Sequence, residues 1–487
     1  MAKPPSPDPR KVNNLPLQPL PADDVSPVTD AALRHAISVG SERGVLKALA
    51  GGWGFNLAGT TPGTRVRMTN FSGISPAEDL RPGAWSRPFD FDPTVPHEQP
   101  GPLMRVLAGT TFGDLNRALH PYTVVNQPGF ELLTFGGVMM VGGHGSGIRR
   151  GNIASQVRSL DLYVVKADGA LKLMRIEPAS DPITDADAFT RRHPGAELLL
   201  DDEVFNTVKV SFGTMGVLHS VVIDTRPAYR LEEDRDARQL WRDFDKIEEQ
   251  VRRPEVAGVH LWVNPYKFGF DYTALQSTYR RSVDMQRNER GWGIRDADSP
   301  ITRGITNAAA TFPISLPWAL QFSFTSLTAD DVVMPSPEAL DFGPPNKLKV
   351  SAASCSLPAD GLKERLAALL HHFKVTFPKN AVSSLVGIRW VKASNATLAP
   401  QRDRDSVMIE VPVLAPTPNL DETLEKYVTF MVNELGARPH WGQRLWLDNA
   451  QLRKVYGSEA VDTFIRVRRQ LDPRGAFDND FTRQLGL

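Results

Sequence analysis

The stretch from Thr134 to Gly147 reads Thr-Phe-Gly-Gly-Val-Met-Met-Val-Gly-Gly-His-Gly-Ser-Gly, and six of its fourteen residues are glycine. Glycine has no Cβ, so such a loop lets the backbone approach a ligand that side chains would keep away. Two similar loops precede it, Gly-Gly-Trp-Gly-Phe-Asn at 51–56 and Gly-Thr-Thr-Phe-Gly at 109–113, each after a predicted strand. This series indicates a large, extended ligand that carries phosphate groups.

The chain around these loops predicts an α+β fold. Hydrophobic periodicity distinguishes the expected helices from the expected strands. We expect a helix at 29–41 capped by Thr29 or Asp30, a strand at 45–50, an irregular excursion at 57–103, a strand at 104–108, a helix at 114–119, a strand at 157–166 closed by an Asp168-Gly169 turn, two strands within 208–224 broken at Gly213 and Gly216, and helices at 362–373 and 420–435.

The composition excludes several classes of protein. The 487 residues include 56 Lys+Arg and 56 Asp+Glu, so no overall positive charge favours nucleic acid. Cys355 is the single cysteine, which excludes an internal disulfide, a cysteine-based zinc site and an iron–sulfur cluster. We therefore expect no metal site, and any redox chemistry has to come from an organic cofactor.

The distribution of glycine and proline predicts the domain organisation. Residues 1–24 are rich in proline and predict a flexible tail. Glycine clusters end near Arg226, which predicts one domain at 25–225, a second at 226–455 and a segment at 456–487 that returns to the first. The sequence shows neither a signal peptide nor an apolar run that could span a membrane, so we expect a cytoplasmic protein.

The common short motifs of nucleotide-binding and hydrolytic enzymes are missing: no strict Gly-x-Gly-x-x-Gly follows a predicted strand, and there is no Walker, His-Glu-x-x-His or Gly-x-Ser-x-Gly sequence. Other runs follow one another instead. They are TFGGVMMVGGHGSG (134–147), RGNIASQVRSLDLYVVKADG (150–169), SFGTMGVLHSVVIDTRP (211–227), VGIR (386–389), LAPQRDRDSVMIEV (398–411), RPHWG (438–442) and DPRGAFDN (472–479). In this order they resemble the vanillyl-alcohol oxidase / para-cresol methylhydroxylase (PCMH-type) flavoprotein superfamily, in particular its branch of sugar-1,4-lactone oxidases, alditol oxidases and type II cholesterol oxidases.

The resemblance implies FAD as the cofactor, held by a PCMH-type FAD-binding domain and covered by a cap domain with an antiparallel sheet. The residues that it assigns to FAD are Gly51, Gly52, Trp53, Gly54, Phe55, Asn56, Thr110, Thr111, Gly136, Gly137, Gly142, Gly143, His144, Gly145, Ser146, Gly147, Gly151, Asn152, Gly216, Val217 and Asn479. Many relatives have a histidine bonded to the flavin where this chain has Trp53, and His144 corresponds to a generally structural histidine. Cys355 lies far along the chain from these loops. We therefore expect non-covalent FAD.

The resemblance also places the substrate site, where this chain departs from its relatives at two positions. Relatives commonly have Glu-x-Arg where this chain has Gly387 and Arg389, and strand alternation puts both residues on one face. Arg389 is suited to stabilise negative charge on a substrate oxygen, although a surface salt bridge is the alternative. Relatives have His-Trp-x-Lys where this chain ends the motif with Gln443, so we assign Gly387 and Gln443 to substrate binding.

Two further side chains are candidate bases. His440 remains from the family motif, and an unperturbed histidine pKa of about 6.5 suits a base near neutrality. A buried structural histidine is the alternative. Glu410 lies on the strand at 406–413 and replaces the missing carboxylate if its face meets the pocket, whereas it has no catalytic role if that face meets solvent.

These residues predict an FAD-dependent oxidase or dehydrogenase that oxidises a CH–OH carbon of a small or medium-sized substrate by hydride transfer to flavin N5. Molecular oxygen or another acceptor would reoxidise the flavin. The loss of two family residues leaves other functions open: oxidative cyclisation or desaturation, an inactive flavin-binding homologue, or a non-enzymatic interaction protein.

Overall fold

The computed structural model describes residues 21–87, 100–282, 300–324, 329–341 and 349–487. Most of the predicted tail, residues 1–20, lies outside the described residues. The strands are β1 (Asp23–Val25), β2 (Leu46–Leu49), β3 (Thr64–Arg67), β4 (Ile74–Pro76), β5 (Met104–Leu107), β6 (Tyr122–Val124), β7 (Val157–Val165), β8 (Leu171–Glu177), β9 (Glu197–Leu200), β10 (Val217–Ile223), β11 (Thr225–Pro227), β12 (Arg230–Gln239), β13 (Val256–Val263), β14 (Thr273–Ser282), β15 (Ala329–Pro335), β16 (Val350–Pro358), β17 (Val386–Val391), β18 (Ser406–Leu414) and β19 (Arg438–Pro439).

The helices connect and cover these strands. They are α1 (Asp30–Arg43), α2 (Phe112–Leu119), α3 (Phe135–Met140), α4 (Ala186–Arg192), α5 (Asp202–Val208), α6 (Leu240–Arg252), α7 (Pro300–Thr311), α8 (Leu316–Phe324), α9 (Ser336–Leu340), α10 (Leu362–Thr376), α11 (Leu420–Asn433), α12 (Asn449–Tyr456), α13 (Ser458–Leu471) and α14 (Asp480–Leu485). Short 3-10 turns occur at Met68–Asn70, Ile153–Gln156 and Pro313–Ser315. The mixture of helices and largely antiparallel sheets confirms the predicted α+β class.

The N-terminal half contains two larger sheets. Among the described residues, β1, β3 and β2 form a parallel three-stranded sheet, and a six-stranded sheet has the order β4-β5-β10-β7-β8-β9. Strand β7 is buried along its whole length because strands and helices cover it on all sides. Its two charged side chains are paired: Arg158 with Asp181, and Asp161 with Arg105 and Arg175.

The second half is built on one antiparallel sheet with the order β15-β12-β14-β13-β17-β18-β16-β19 in the part of the chain that is described. One face of this sheet packs on α11, and Ile388, Ile409 and Cys355 on this face are fully buried. The opposite face carries polar side chains, described below. The expected antiparallel sheet is therefore present, with one apolar and one polar face.

The end of the chain returns to its beginning. The Leu46 amide donates to the Ala476 carbonyl at 2.8 Å, and the buried Lys47 ammonium donates to the Phe477 carbonyl at 3.3 Å. Burial lowers the pKa of Lys47 to about 7. These contacts place the 472–479 turn beside β2 and the first glycine loop.

Several predicted elements are confirmed, and two predictions are wrong. Helix α1 begins after the N-cap Thr29, whose hydroxyl accepts from the Ala32 amide, and Gly169 forms the turn after β7. Residues 208–224 contain only one strand, β10, because Phe212 and Gly213 adopt positive φ angles of 54° and 64° that turn the chain. The excursion at 57–103 also contains the short strands β3 and β4.

Candidate active site

Two of the predicted glycine loops present backbone N–H groups that have no acceptor within the described residues. These are the amides of Gly51, Gly52, Trp53, Gly54, His144, Gly145 and Ser146. His144, Gly145 and Ser146 are buried, where amides are almost always hydrogen-bonded, whereas Gly51 to Gly54 are exposed or half-buried. Clustered N–H groups of both kinds form favourable sites for phosphate. Gly52 has a φ of 70° with open space beside its Cα. The two loops therefore fit the pyrophosphate of FAD.

Nine of the glycines assigned to FAD also make close contacts within the protein. A Cβ built on each of them would lie less than 3.0 Å from another protein atom. For Gly145 that atom is Asn126 Oδ1 at 2.1 Å, and for Gly216 it is the Tyr163 carbonyl oxygen at 2.5 Å. The glycines that share this close packing are Gly51, Gly136, Gly137, Gly142, Gly143, Gly145, Gly147, Gly151 and Gly216. Some of these contacts are local and keep a loop compact, whereas those of Gly136, Gly142, Gly145, Gly147 and Gly216 bring the loops close to other parts of the chain.

Four polar side chains that the sequence assigned to FAD are hydrogen-bonded within the protein. The Thr110 hydroxyl bonds to Gly73, and Thr111 caps α2 through the Asp114 amide. Asn152 donates to Gln401 Oε1 at 3.1 Å, and Asn479 donates to the carbonyls of Leu57, Ala58 and Thr60. Their side chains hold the loops in place, and Val217 begins β10 beside them.

The first glycine loop is attached to the segment that contains His440. The Phe55 amide donates to the Gly442 carbonyl at 2.9 Å. The Asn56 side-chain amide donates to the carbonyls of Trp441 and Gln443, in the latter case at 3.0 Å. Trp53 is 38% exposed. The predicted FAD site and the predicted catalytic segment are therefore in direct contact.

The polar face of the eight-stranded sheet brings together residues from strands far apart in the sequence. Gly387 on β17 pairs with Trp262 on β13 and with Glu410 on β18. Arg389 pairs in the same way with His260 and Met408. Because side chains two residues apart share a face, these two rows form one surface.

Glu410 lies at the centre of a hydrogen-bonded group on this surface. Arg389 Nη2 donates to Glu410 Oε2 at 3.1 Å, and Gln443 Nε2 donates to Glu410 Oε1 at 2.6 Å. All three side chains are partly buried. Of the two alternatives that the sequence left open, the structure places Glu410 on the face that carries Arg389 and Gln443. The carboxylate stands beside Gly387, where relatives carry their glutamate.

The hydrogen bond of His440 changes its expected role. The Gly442 amide donates to His440 Nδ1 at 3.0 Å. This bond fixes Nδ1 as the acceptor, so the proton of the neutral ring is on Nε2. Burial, then the positive charge of Arg389, lowers the pKa of His440 to about 4. The predicted general base is therefore corrected: in this conformation His440 is a neutral hydrogen-bond donor through Nε2.

Two more histidines lie around Arg389. The His144 ring centroid is 5.8 Å from that of His440, and His144 Nδ1 is 2.9 Å from the Gly145 carbonyl oxygen, to which it donates. Burial and the Arg389 charge hold the pKa values of His144 and His260 well below 6.5. All three rings are thus neutral near neutral pH.

The sequence interpretation missed His260 and Trp262. They are two residues apart on β13 and therefore share the polar face. The alternation of the strand could have suggested a common face, but not which strand pairs with β17.

The described residues show no group of three or more His, Cys, Asp or Glu side chains placed to hold a metal ion. None of the described helices has both the length and the apolar character needed to cross a membrane.

Comparisons with known proteins identify the family and related chains. A family model described as D-arabinono-1,4-lactone oxidase matches residues 221–485, more than half of the chain. The chain is 23% identical to L-gulono-1,4-lactone dehydrogenase of Mycobacterium tuberculosis, covering 96% of each chain. It is 24% identical to alditol oxidase of a Streptomyces species, covering 78% of this chain and 80% of the other.

The fold also resembles a solved structure. Cholesterol oxidase from Brevibacterium sterolicum superimposes with a TM-score of 0.71 at 16% identity, covering 95% of this chain and 93% of the other. At this identity the likeness shows the shared fold.

Proposed function

The chain belongs to the D-arabinono-1,4-lactone oxidase family and is an FAD-dependent oxidoreductase of CH–OH donors, and from this premise we propose that Glu410 is the base that takes the proton of the substrate hydroxyl. The observation that carries the proposal is the position of this carboxylate beside Gly387, bonded to Arg389 and Gln443. Bound FAD supplies the acceptor for the hydride of the CH–OH carbon.

Glu410 keeps the capacity to bind a substrate hydroxyl. An ionised carboxylate has about four lone-pair sites, and Arg389 and Gln443 use two of them. The remaining sites accept the hydroxyl proton, while the two partners fix the carboxylate in one orientation. Gln443 orients the carboxylate as a neutral group, whereas relatives have a charged lysine at this position.

The substrate oxygen must also be stabilised as it loses its proton to Glu410. Arg389 is always charged, and His440 offers the Nε2–H group described above. Donors that are oriented in advance in a partly buried site are effective because they need little reorganisation. We therefore assign Arg389 and His440 to the substrate oxygen.

We also propose that FAD is bound without a covalent bond. Trp53 occupies the position of the attaching histidine, and the unbonded amides of the two glycine loops provide phosphate contacts instead. Acid precipitation of the purified protein tests this proposal: the flavin should appear in the supernatant. Flavin that stays with the precipitate would show a covalent link.

The catalytic proposal is tested by comparing Glu410→Gln with wild type in anaerobic flavin reduction by xylitol and by L-gulono-1,4-lactone. Loss of a general base costs about 10²–10⁴-fold, so bleaching should slow by at least about 100-fold in Glu410→Gln. Glu425→Gln, an exposed residue on α11, is the matched control. Equal rates for wild type and Glu410→Gln would refute the base assignment.

We also propose two domains, a small-molecule electron acceptor and a cytoplasmic location. The change of sheet between Ile223 and Arg230 supports a boundary between an FAD-binding and a cap domain, and the contacts of 472–479 with β2 support a returning C-terminal segment. We propose molecular oxygen or another small acceptor for reoxidation, which oxygen consumption during turnover would distinguish. Cell fractionation tests the proposed cytoplasmic location.

A further inference from the structure

A slot lies above Gly387 on the polar face of the sheet. Trp262 and Glu410 flank Gly387 on the two neighbouring strands. Strands are about 4.8 Å apart, so the backbones that carry these two side chains are separated by roughly 10 Å. A Cβ built on Gly387 would meet only Glu410 within 4 Å, at 3.8 Å from its Cβ and 4.0 Å from Oε2. Among the described residues, the space within 4 Å of this position is therefore open on the Trp262 side.

The two walls of the slot differ in chemistry. Glu410 forms the polar wall with Arg389 and Gln443. The other wall begins at Trp262, which packs with Leu385 against Leu275 and Phe324. Leu275 and Phe324 are 0% and 2% exposed, so the residues behind this wall are buried and apolar.

Helix α8 packs against the apolar wall through its buried side. Leu316, Leu320 and Phe324 form its buried stripe, whereas Trp318 and Phe322 on the other side are 70% and 74% exposed. The Asn264 side chain holds the helix on the sheet by donating to the Pro317 carbonyl at 3.3 Å. A continuous exposed apolar surface of this kind often marks a site that binds apolar ligands. The buried stripe of α8 therefore packs behind the apolar wall, and its exposed residues add an apolar surface on the other side of the helix.

The two side chains of the apolar wall are not packed like core residues. Trp262 and Leu385 remain partly exposed, while Ile388 and Ile409 on the opposite face of the same sheet are fully buried. A substrate with many hydroxyl groups would have to bury some of them against this wall, where each lost hydrogen bond is costly. An alkyl or aryl group would lose nothing there.

We propose that the substrate is an amphipathic alcohol whose CH–OH carbon lies at Glu410 and whose alkyl or aryl group lies in the slot against Trp262 and Leu385. This inference rests on the proposed function, because it requires that the reacting carbon lie at Glu410. It names the substrate class of the same site and makes Trp262 a specificity-determining residue.

The experiment compares alcohols that share one reacting group. Glycerol and xylitol represent polar 1,2-diols, and 1,2-octanediol and 1-phenylethane-1,2-diol carry an apolar group on the same diol. Flavin reduction in the purified holoenzyme is followed anaerobically by absorbance. Each buried methylene contributes about 0.8 kcal/mol, or roughly fourfold, so kcat/KM for 1,2-octanediol should exceed that for glycerol by at least about tenfold.

Variants then locate the apolar group. Trp262→Leu and Gly387→Val should each lower the ratio of kcat/KM for 1,2-octanediol over glycerol by at least about fivefold, because one reduces the wall and the other fills the slot. Two different positions keep the test valid if one variant fails to fold. Trp85→Ala, an exposed tryptophan outside this region, should leave the ratio unchanged.

The outcomes separate this inference from the function on which it rests. Bleaching by glycerol and xylitol without a preference for the apolar diols would overturn the amphipathic substrate and leave the alcohol oxidation standing. A preference that neither Trp262→Leu nor Gly387→Val changes would overturn the slot. Failure of every diol to bleach the flavin, with L-gulono-1,4-lactone also inactive, would overturn both.

Discussion

Gly387 and Glu410 are directly paired across strands β17 and β18, so the Glu410 carboxylate stands beside the position at which Gly387 has no side chain. Members of the resembling superfamily commonly carry a glutamate at the position of Gly387. The pairing puts the Glu410 Oε2 atom 4.0 Å from the place that a Cβ of residue 387 would take. Arg389, two residues after Gly387, contacts the carboxylate in this arrangement.

Returning the carboxylate to β17 should restore part of the activity. Glu410→Gly alone should lower the rate of anaerobic flavin reduction by at least about 100-fold, as expected for a lost base. The double variant Gly387→Glu/Glu410→Gly should recover at least about tenfold of this loss, because a side chain at 387 has room and the same neighbours. A double variant no faster than Glu410→Gly would show that the position of the carboxylate, and not only its presence, is required.

Asn56 should control FAD affinity because it holds the first glycine loop. Its side-chain amide fastens the first glycine loop to the carbonyls of Trp441 and Gln443. Asn56→Asp removes these donors at nearly constant volume, and each lost buried bond costs about 1–3 kcal/mol. We expect the FAD dissociation constant, measured by flavin fluorescence, to rise at least about tenfold. Asn70→Asp, which affects only a bond to Ser26, should not change it.

Local sequence patterns predicted the parts of the site that depend on neighbouring residues. The alternation of β17 correctly placed Gly387 and Arg389 on one face, and the glycine loops marked the unbonded amides of 51–54 and 144–146. His260 and Trp262 were missed because their contribution depends on the pairing of β13 with β17, which a single strand does not encode.

The sequence also did not allow the roles of individual side chains to be predicted. The tautomer of His440 depends on one hydrogen bond from Gly442, and residue type alone does not determine it. Asn479 was assigned to FAD, whereas its amide holds the carbonyls of Leu57, Ala58 and Thr60. Sequence order identified these positions as important, but their contacts decide what they do.

Cys355 should be unreactive in the folded protein. Its side chain is fully buried on the apolar face of the eight-stranded sheet, and burial raises the pKa of the thiol to about 12. Thiol reagents attack the thiolate, so 5,5′-dithiobis(2-nitrobenzoate) should label no cysteine in native protein and one cysteine after unfolding in guanidinium chloride. Rapid labelling without denaturant would show that this face of the sheet opens.

The histidines around Arg389 should make the protein lose stability in mild acid. Burial and the Arg389 charge lower the pKa of His440 from 6.5 to about 4, and those of His144 and His260 shift in the same direction. In the unfolded chain these rings take up protons below about pH 6.5, while the folded protein resists protonation. The contribution of these neutral histidines to the unfolding free energy is therefore fully present above pH 6.5, and it is lost as the pH falls towards 4. His440 alone contributes up to about 3 kcal/mol of this loss.

Guanidinium chloride unfolding of the holoenzyme between pH 7.5 and 4.5 measures this dependence. In His440→Gln the slope of the unfolding free energy against pH should decrease by up to about 1.4 kcal/mol per pH unit, since one fewer proton is bound on unfolding. His35→Gln, an exposed residue on α1, should keep the wild-type slope. A wild-type slope in His440→Gln would mean that His440 is already protonated in the folded protein, and its Nδ1 could then not accept the Gly442 amide.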